Sequence, residues 1–403
     1  MNKKLKIVIF VLSGILLVFG GYIGIKKFIE YEKVKNAVVH IVLNDDLTVE
    51  FYKQDVKVSD FIKEINGTIV DDYVIDTTKL DEQEIKYEYI NDDGIKLKKS
   101  YKIKVVDKTE PLIWLNSTYS IAVGSKDNIV QNVLCGDNLD NEPNCFIEGD
   151  YDLNTVGKYK VTFKAIDKSG NEASKDFTIN VYKPSGGSSS SSKPTYKNYK
   201  DIVKEYKTEN TKIGLDLSEW QDEPDYAKLK ASGVEFVILR VGGTKGREGE
   251  YFLDKSFKYN IEEAKKYDIP VGLYFFSYAT GVDKAKENAQ WVLEQIKGYQ
   301  VDLPISFDWE NWNRFNQYHI SFYELSKMAD AFIETVEKAG YKGMNYGSKT
   351  YLENMWLPNN NTIWLAHYTS KTSYEGDYKF WQICDNALVD GVNGPVDVNI
   401  MYE

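Results

Sequence analysis

The 403-residue sequence predicts a multidomain chain with one transmembrane helix, two small all-β modules and a C-terminal barrel of strands and helices. Three observations carry this prediction. An uncharged apolar run lies near the N-terminus, and a β-rich segment repeats itself before a Gly/Ser-rich linker. After the linker come eight apolar runs, the first five of them each followed by an amphipathic stretch. A chain of this length is too long for one small domain.

The first element is the apolar run 7–25, "IVIFVLSGILLVFGGYIGI", which follows the tail "MNKKLK" (1–6) and contains no charge. As a helix it would extend about 28 Å, close to the ~30 Å hydrocarbon core of a bilayer. A cleaved signal peptide would have a shorter apolar region and a small-residue cleavage site. We therefore expect an uncleaved anchor with a short cytoplasmic tail. The remainder would lie on the extracellular, cell-wall side of the membrane, although lysines on both flanks orient the segment poorly.

Composition excludes several classes of function. The formal net charge is −11, and 42% of the residues are hydrophobic and 14% aromatic. The apolar content predicts folded cores, while the acidic balance disfavours nucleic-acid binding and electrostatic attachment to an anionic surface.

The repeat lies between the apolar run and the linker. Residues 85–105 align with 161–181 at a constant offset, and Gly94 falls on Gly170. Each copy is an alternating strand, a polar turn with Gly and a second alternating strand, which predicts a β-hairpin. The two modules, 37–107 and 108–183, resemble bacterial Ig-like modules. They are interpreted either as a spacer, which is the simpler reading, or as wall-binding units.

Three cysteines are too few for a disulfide scaffold. Cys135 and Cys145 bracket "GDNLDNEPN" and could form a disulfide in an exported protein, or could remain two free thiols. A metal site is not expected, because no His lies near either of them. Cys384 is predicted to be a buried apolar residue.

A Ser/Gly-rich linker and polar lead-in occupy 184–210, and the barrel is predicted over 211–403. Apolar runs buried on both faces and separated by helices favour a modified β/α (TIM-like) barrel with about five helices. The predicted strands are "IGLDL", "EFVILRV", "PVGLYFF", "LPISFDW", "YKGMNY", "TIWLAH", "KFWQIC" and "VDVNI", and the predicted helices are 225–232, 254–267, 283–297, 321–339 and 348–355.

Acidic residues lie at the ends of three predicted strands. Asp308 and Glu310 in "LPISFDWENW" share one strand face because side chains alternate with period two. Asp216 closes the first strand and Asp397 lies in the last, and these strands are neighbours in a closed barrel. We expect the four carboxyl groups to meet at the end of the barrel where active sites lie, and their repulsion to keep one protonated.

Aromatic residues surround these acids in the sequence. Aromatic faces beside carboxylates suit sugar rings, which have apolar faces and hydroxyl edges. Taken singly, a strand-end acid is more often a solvated or paired residue, and an aromatic at strand spacing is more often part of a core. The aromatic positions are Trp220, Tyr274, Phe276, Trp312, Tyr346, Trp364, His367 (with its imidazole), Tyr368 and Trp381.

Residues 212–402 resemble glycoside hydrolase family 25, the lysozymes that cut peptidoglycan. The resemblance rests on "GLDLSEWQ", "VEFVILRVGGT", "NIEEAKKYDIPVGLYFFSYA", "DLPISFDWE", "IWLAHY", "WQI" and "GPVDVNI", which occur in the family order. Three positions depart from the family pattern: Asp222 replaces a usual Gly, Phe275 a frequent His and Ile400 a usual aromatic.

The resemblance implies hydrolysis of the β-1,4 bond between N-acetylmuramic acid and N-acetylglucosamine. Glu310 would be the proton donor and Asp308 its ionised partner, with Asp216 and Asp397 shaping the site. Candidate substrate-binding residues are Tyr274, Tyr346, Trp364 and Trp381, with Trp220 beside them. The implied partner is the peptidoglycan glycan strand, and no metal or cofactor is expected. Two alternatives stay open: a barrel that binds glycan without cutting it, and a structural surface protein.

Overall fold

The computed structural model describes Tyr22 and residues 25–184, 195–247 and 249–403. The chain separates into two compact units, Met1–Thr109 and Glu110–Glu403. The second unit contains both the second β-module and the barrel.

The first unit is built from β-strands after a helix, α1, over 25–35. Its long antiparallel hairpin turns at Gly94, whose φ of 76° lies in the left-handed region that glycine adopts without strain. Ile85, Tyr87 and Tyr89 alternate into the core, as a strand with one buried face requires. One sheet has the order β2-β6-β5-β4 and another pairs β1 with β3; the strands are β1 (Ile41–Leu43), β2 (Thr48–Glu50), β3 (Ile62–Ile65), β4 (Gly67–Ile69), β5 (Asp81–Asn91) and β6 (Lys96–Val106), with a 3-10 helix at Val58–Phe61.

The second β-module, residues 110–182, repeats this hairpin. The predicted hairpins are confirmed in both modules, and the second turn again has a glycine, Gly170, with φ of 90°. Membership of an Ig-like family stays a prediction. The sheet order is β10-β11-β12-β8, with β7 paired to β9; the elements are β7 (Leu112–Trp114), β8 (Thr118–Ala122), α2 (Ile129–Asn132), β9 (Leu134–Gly136), β10 (Asn144–Glu148), β11 (Gly157–Ile166) and β12 (Glu172–Tyr182).

Cys135 of β9 and Cys145 of β10 form a disulfide across a sequence separation of 10 residues. Closing a loop of this size restricts the unfolded chain and contributes about 2–3 kcal/mol to the free energy of unfolding.

Cys145→Ser is therefore expected to destabilise the second module by about that amount in urea denaturation. The reduced wild-type protein is the control and should match the variant. A variant as stable as the oxidised wild type would contradict the assignment.

Eight strands of the second unit close into a barrel. The first seven are parallel, and the eighth, β22, is antiparallel to both β14 and β21 and closes the sheet between them. The barrel strands are β14 (Thr211–Leu217), β15 (Val237–Thr244), β17 (Val271–Phe276), β18 (Ile305–Asp308), β19 (Gly343–Ser348), β20 (Ile363–Ala366), β21 (Phe380–Leu388) and β22 (Val396–Tyr402); β13 (Lys197–Asn198) and β16 (Tyr251–Leu253) pair with β21 and β15.

Helices pack around the outside of this sheet. One helix precedes the barrel and one follows each of its first five strands, while no helix separates the last three strands among the described residues. The helices are α3 (Tyr199–Tyr206), α4 (Tyr226–Ala231), α5 (Phe257–Lys266), α6 (Val282–Gln295), α7 (Phe322–Lys338) and α8 (Lys349–Asn354), with 3-10 turns at Glu219–Gln221 and Trp312–Gln317.

The predicted fold class was wrong in two respects. A TIM barrel has eight parallel strands, whereas here the last strand is antiparallel to both of its neighbours. Nor does any helix within the described ranges have the length and apolar character to cross a bilayer. The segment predicted to do so, 7–25, lies outside the described residues except for Tyr22 and Ile25. The helices after the first five strands, and the lack of helices between the last three among the described residues, agree with the prediction.

The barrel interior is apolar at one end and polar at the other. A cluster that includes Ile238, Met344, Trp364 and Phe380 fills the apolar end of the barrel interior. Gly214 belongs to this layer, and a Cβ there would lie 2.4 Å from the carbonyl oxygen of Phe236, so only glycine fits. Two residues further along β14, β15 and β21, the corresponding positions are polar: Asp216, Arg240 and Gln382. The strand ends therefore present acids and amides at one open mouth of a closed barrel.

Candidate active site

The structure brings the four predicted acids together at this mouth. Asp308 is the last residue of β18, and Glu310 follows it by two positions. Asp216 and Asp397 are direct cross-strand partners in β14 and β22. The pKa of Asp308, of Glu310 and of Asp397 is in each case shifted by at least one other acid of the cluster. The structure therefore brings these acids together at the mouth of the barrel, and their chemical roles stay predictions.

Asp308 and Glu310 are hydrogen-bonded to each other and form the centre of the site. Burial raises the pKa of Asp308 well above its ordinary value, and the neighbouring Glu310 adds to this effect. Loss of water also raises the pKa of Glu310, assisted by the charge of Asp216, while the hydrogen bond with Asp308 opposes the shift. Glu310 is nevertheless open to solvent at the mouth. Both pKa shifts favour the protonated form of the pair, at a place that an incoming substrate can reach.

One oxygen of Asp308 is left without a partner. Oδ1 is buried and makes no hydrogen bond to any described residue. A buried carboxylate oxygen in this state is costly, because its lost hydration is not replaced. This oxygen is therefore suited to accept a hydrogen bond from an N–H or O–H group of a substrate.

Asp216 is held by two amide side chains. Its Oδ2 accepts a hydrogen bond of 2.9 Å from Gln382 Nε2 and one of 2.7 Å from Asn399 Nδ2. Burial raises the pKa of Asp216 to about 6, and both hydrogen bonds oppose that rise. With two N–H donors on one oxygen, this carboxylate is held as a hydrogen-bond acceptor.

The amide groups are fixed in turn by aromatic side chains. Trp364 Nε1 donates to Asn399 Oδ1 at 2.7 Å, and the hydroxyl groups of Tyr346 and Tyr368 both donate to Gln382 Oε1, at 3.0 and 2.9 Å. These bonds fix the orientation of both amides, so their N–H groups must face Asp216. Neither Gln382 nor Asn399 was predicted as a site residue. Asn399 lies two positions after Asp397 on the same strand, so period-two alternation could have identified it.

The predicted aromatic residues lie in two places. Tyr274, Tyr346 and Trp364 form the floor of the site, and Trp220 lies at its rim, the edge of the barrel mouth. Tyr274 and Tyr346 pack edge-on against Trp364, with ring centroids 5.9 and 4.7 Å away. Trp364 is only 2% exposed, so it supports the floor without offering a free face to a sugar. Trp220, in contrast, is 78% exposed on the 3-10 turn after β14 and offers a rim surface.

The prediction for Trp381 was wrong. Its ring lies outside the barrel, where it packs edge-on against Tyr206 of α3 and donates from Nε1 to the carbonyl oxygen of His367. It is 4% exposed. Its neighbour Gln382 takes the inward position, because adjacent strand residues face opposite sides.

Asp397 lies opposite Asp216 on the neighbouring strand. Burial, Asp216 and Asp385 together raise its pKa to about 9, which keeps it protonated at neutral pH. A neutral carboxyl group can donate a hydrogen bond to a sugar hydroxyl group. This supports a role in shaping the site more than one in proton transfer.

Asp216→Asn tests how the cluster controls Glu310. The Asp216 charge raises the pKa of Glu310, so its removal should lower that pKa. A general acid with a lower pKa loses its proton at lower pH, and the alkaline limb of the kcat/KM profile is expected to shift downward. The full pH–rate curve of the variant is the measurement. Uniformly lower activity with an unmoved alkaline limb would instead make Asp216 a hydrogen-bonded support.

Comparison with known proteins places this geometry in a family. The sequence profile of "Glycosyl hydrolases family 25" matches residues 215–392. The uncharacterized protein YegX of Escherichia coli K12 is 30% identical over 195 residues, which are 46% of this chain and 68% of that protein. This chain therefore belongs to family 25 of the glycosyl hydrolases. It is a glycoside hydrolase of the lysozyme class.

Solved structures show similar chains. The modular autolysin LytC of Streptococcus pneumoniae, solved with a synthetic peptidoglycan ligand, is 25% identical, with a TM-score of 0.43. That match covers 60% of this chain and 56% of LytC, so this chain spans little more than half of the relative. A family 25 glycosyl hydrolase from Bacillus anthracis is 22% identical over 53% of this chain and 95% of its own, also with a TM-score of 0.43.

Proposed function

We propose that the barrel hydrolyses the β-1,4 bond between N-acetylmuramic acid and N-acetylglucosamine in peptidoglycan, with Glu310 as proton donor. The hydrogen-bonded Asp308–Glu310 pair at the open mouth of the barrel carries this proposal. Membership of family 25 and the aromatic rim and floor around the acids support it. Glycosidases commonly cleave with two carboxyl groups, one of which carries a raised pKa and donates a proton.

In this mechanism the substrate decides which carboxyl group keeps the shared proton. The N–H of the sugar's acetamido group donates to Oδ1 of Asp308 and stabilises its ionised form, which leaves the proton on Glu310. The acetamido oxygen then bonds to the anomeric carbon while the glycosidic C–O bond breaks, and Glu310 gives its proton to the leaving oxygen. Asp308 stabilises the positive charge on the resulting oxazolinium ring. Water next attacks the anomeric carbon, and Glu310 takes back a proton.

We propose further that the enzyme acts outside the cytoplasm, at the cell wall. The disulfide between Cys135 and Cys145 supports this location, because such bonds persist in oxidising compartments and are rare in the cytosol. Peptidoglycan strands are then its natural partner.

Clearing of purified peptidoglycan tests the proposal against a barrel that only binds glycan. The full-length protein is expected to lower the turbidity of a sacculus suspension and to release soluble fragments that carry new reducing ends. A protein that sediments with sacculi without releasing fragments would be a binding module. Release of free amino groups without reducing ends would show a peptide bond being cut, and would overturn the proposal.

A further inference from the structure

We infer that the second β-module is a working part of the catalytic unit, and that Asn316 is a positioning residue through which this module fixes the loop that carries Glu310. The inference rests on the proposed function, because it concerns the placement of the proposed proton donor. It concerns residues 110–182 and the loop between β18 and α7.

The side chain of Asn316 enters the module and binds three of its backbone groups. Its Oδ1 accepts a hydrogen bond of 3.0 Å from the backbone N–H of Cys135. Its Nδ2 donates to the carbonyl oxygens of Val133 and Val130, at 2.9 and 3.4 Å. One amide thus satisfies groups at the end of α2 and the edge of β9. Backbone groups in such a partly buried contact would lose hydration without a replacement if the amide were removed.

The contact continues into the start of α7. The backbone N–H groups of Phe322 and Tyr323 donate to the carbonyl oxygens of Asp137 and Asn138, at 2.9 and 3.0 Å. The first N–H groups of a helix have no partner within it, so the module provides acceptors for this helix end. The module therefore binds both the loop and the helix that follows it.

Close packing accompanies these hydrogen bonds. A Cβ placed on Gly136 would lie 2.8 Å from ring atoms of both Phe315 and Phe322. Real side chains do not approach this closely, so the glycine allows β9 to lie directly against two buried aromatic rings. Substitution at Gly136 is thus a way to disturb the contact from the module side.

Ring stacking and backbone hydrogen bonds within the loop connect Asn316 to Glu310. Trp312 stacks on Tyr351 with centroids 4.2 Å apart, and its backbone N–H donates to the carbonyl oxygen of Glu310 at 2.8 Å. Phe315 stacks on Trp312 at 6.1 Å, directly before Asn316. On the other side of Glu310, Trp309 Nε1 bonds to the carbonyl oxygen of Ala279 at 3.2 Å. The barrel fixes the loop before and just after Glu310, and the module fixes its far end.

A general acid must lie within hydrogen-bond distance of the leaving oxygen, and a misplacement of about 1 Å can cost as much as 10²-fold in rate. A spacer would need no contact with the barrel beyond the chain connection. The contacts described here argue against a spacer and favour a module that stabilises the working position of the acid.

The test compares Asn316→Ala with Asn180→Ala in the full-length protein. Asn180 lies on β12 of the second module, where its side-chain amide donates to Ser120 Oγ at 3.2 Å. Asn316→Ala is expected to lower kcat about 5- to 50-fold with KM within about twofold, because the acid is misplaced while the rim still binds glycan. A looser loop exposes Glu310 to water and lowers its pKa, so the alkaline limb should also move to lower pH. Asn180→Ala should change neither quantity.

Gly136→Val provides the same test from the module side, with Gly157→Val as its control. A Cβ on Gly157 meets its nearest atom at an ordinary 3.5 Å. Gly136→Val is expected to reproduce the fall in kcat and the shift of the pH profile. If Asn316→Ala does not fold, this variant tests the inference in its place. Wild-type kcat and pH profile in a folded variant would overturn the inference. Full activity of Glu310→Gln would instead overturn the proposed function, so the two failures can be told apart.

Discussion

Glu310→Gln is expected to lower kcat on purified peptidoglycan by about 10²–10⁴-fold, the range of general acid catalysis. Glutamine has nearly the same shape but carries no acidic proton, so the leaving oxygen departs without protonation. Glycan binding should persist, because the rim and floor residues are untouched. Rates of reducing-end release and co-sedimentation with sacculi measure the two quantities.

The matched control is Glu334→Gln, which changes an exposed acid on α7 that pairs with Lys338 in the same helix. It should leave kcat, KM and thermal stability unchanged. A folded Glu310→Gln protein that retains wild-type turnover would remove Glu310 from the mechanism.

Asp308→Asn is expected to lower kcat by about 10²-fold or more with little change in KM. The ionised carboxylate is most valuable when positive charge develops on the acetamido group, and less so in the ground state. Asparagine keeps the shape but not the charge. A rise in KM with unchanged kcat would mean that Asp308 contributes only uniform binding.

The role of the acetamido group gives this prediction a second test. Peptidoglycan in which the muramic acid amino groups carry no acetyl group lacks the proposed nucleophile. Wild-type activity on it should fall by a factor similar to the effect of Asp308→Asn, and the substitution should then have little additional effect. Independent, multiplicative losses would show that Asp308 acts on something other than the acetamido group.

The positions of the four acids could be predicted because short sequence patterns at the strand ends indicate them. Asp308 and Glu310 lie two positions apart where one strand ends, and the proximity of Asp216 and Asp397 follows from the closure of a barrel. The repeated hairpins were equally accessible, because the turn glycines Gly94 and Gly170 mark both reversals.

Features that depend on register or on long-range contacts could not be predicted. Trp381 and Gln382 are adjacent, and only the pairing of β21 with β22 decides which of them faces inward. The antiparallel direction of β22 has no signature in "GPVDVNI". The contact of Asn316 with Val130, Val133 and Cys135 joins residues more than 180 positions apart. No periodicity in an irregular loop indicates such a partner.

The identity of the sugar at the new reducing end tests the central claim most directly. Purified peptidoglycan is digested with the full-length protein, the products are reduced with borodeuteride, and the labelled sugar is identified by mass spectrometry. Hydrolysis of the bond between N-acetylmuramic acid and N-acetylglucosamine predicts deuterium-labelled N-acetylmuramitol, absent when Glu310→Gln protein is used. Labelled N-acetylglucosaminitol, or no labelled sugar alcohol at all from a protein that clears sacculi, would contradict the account.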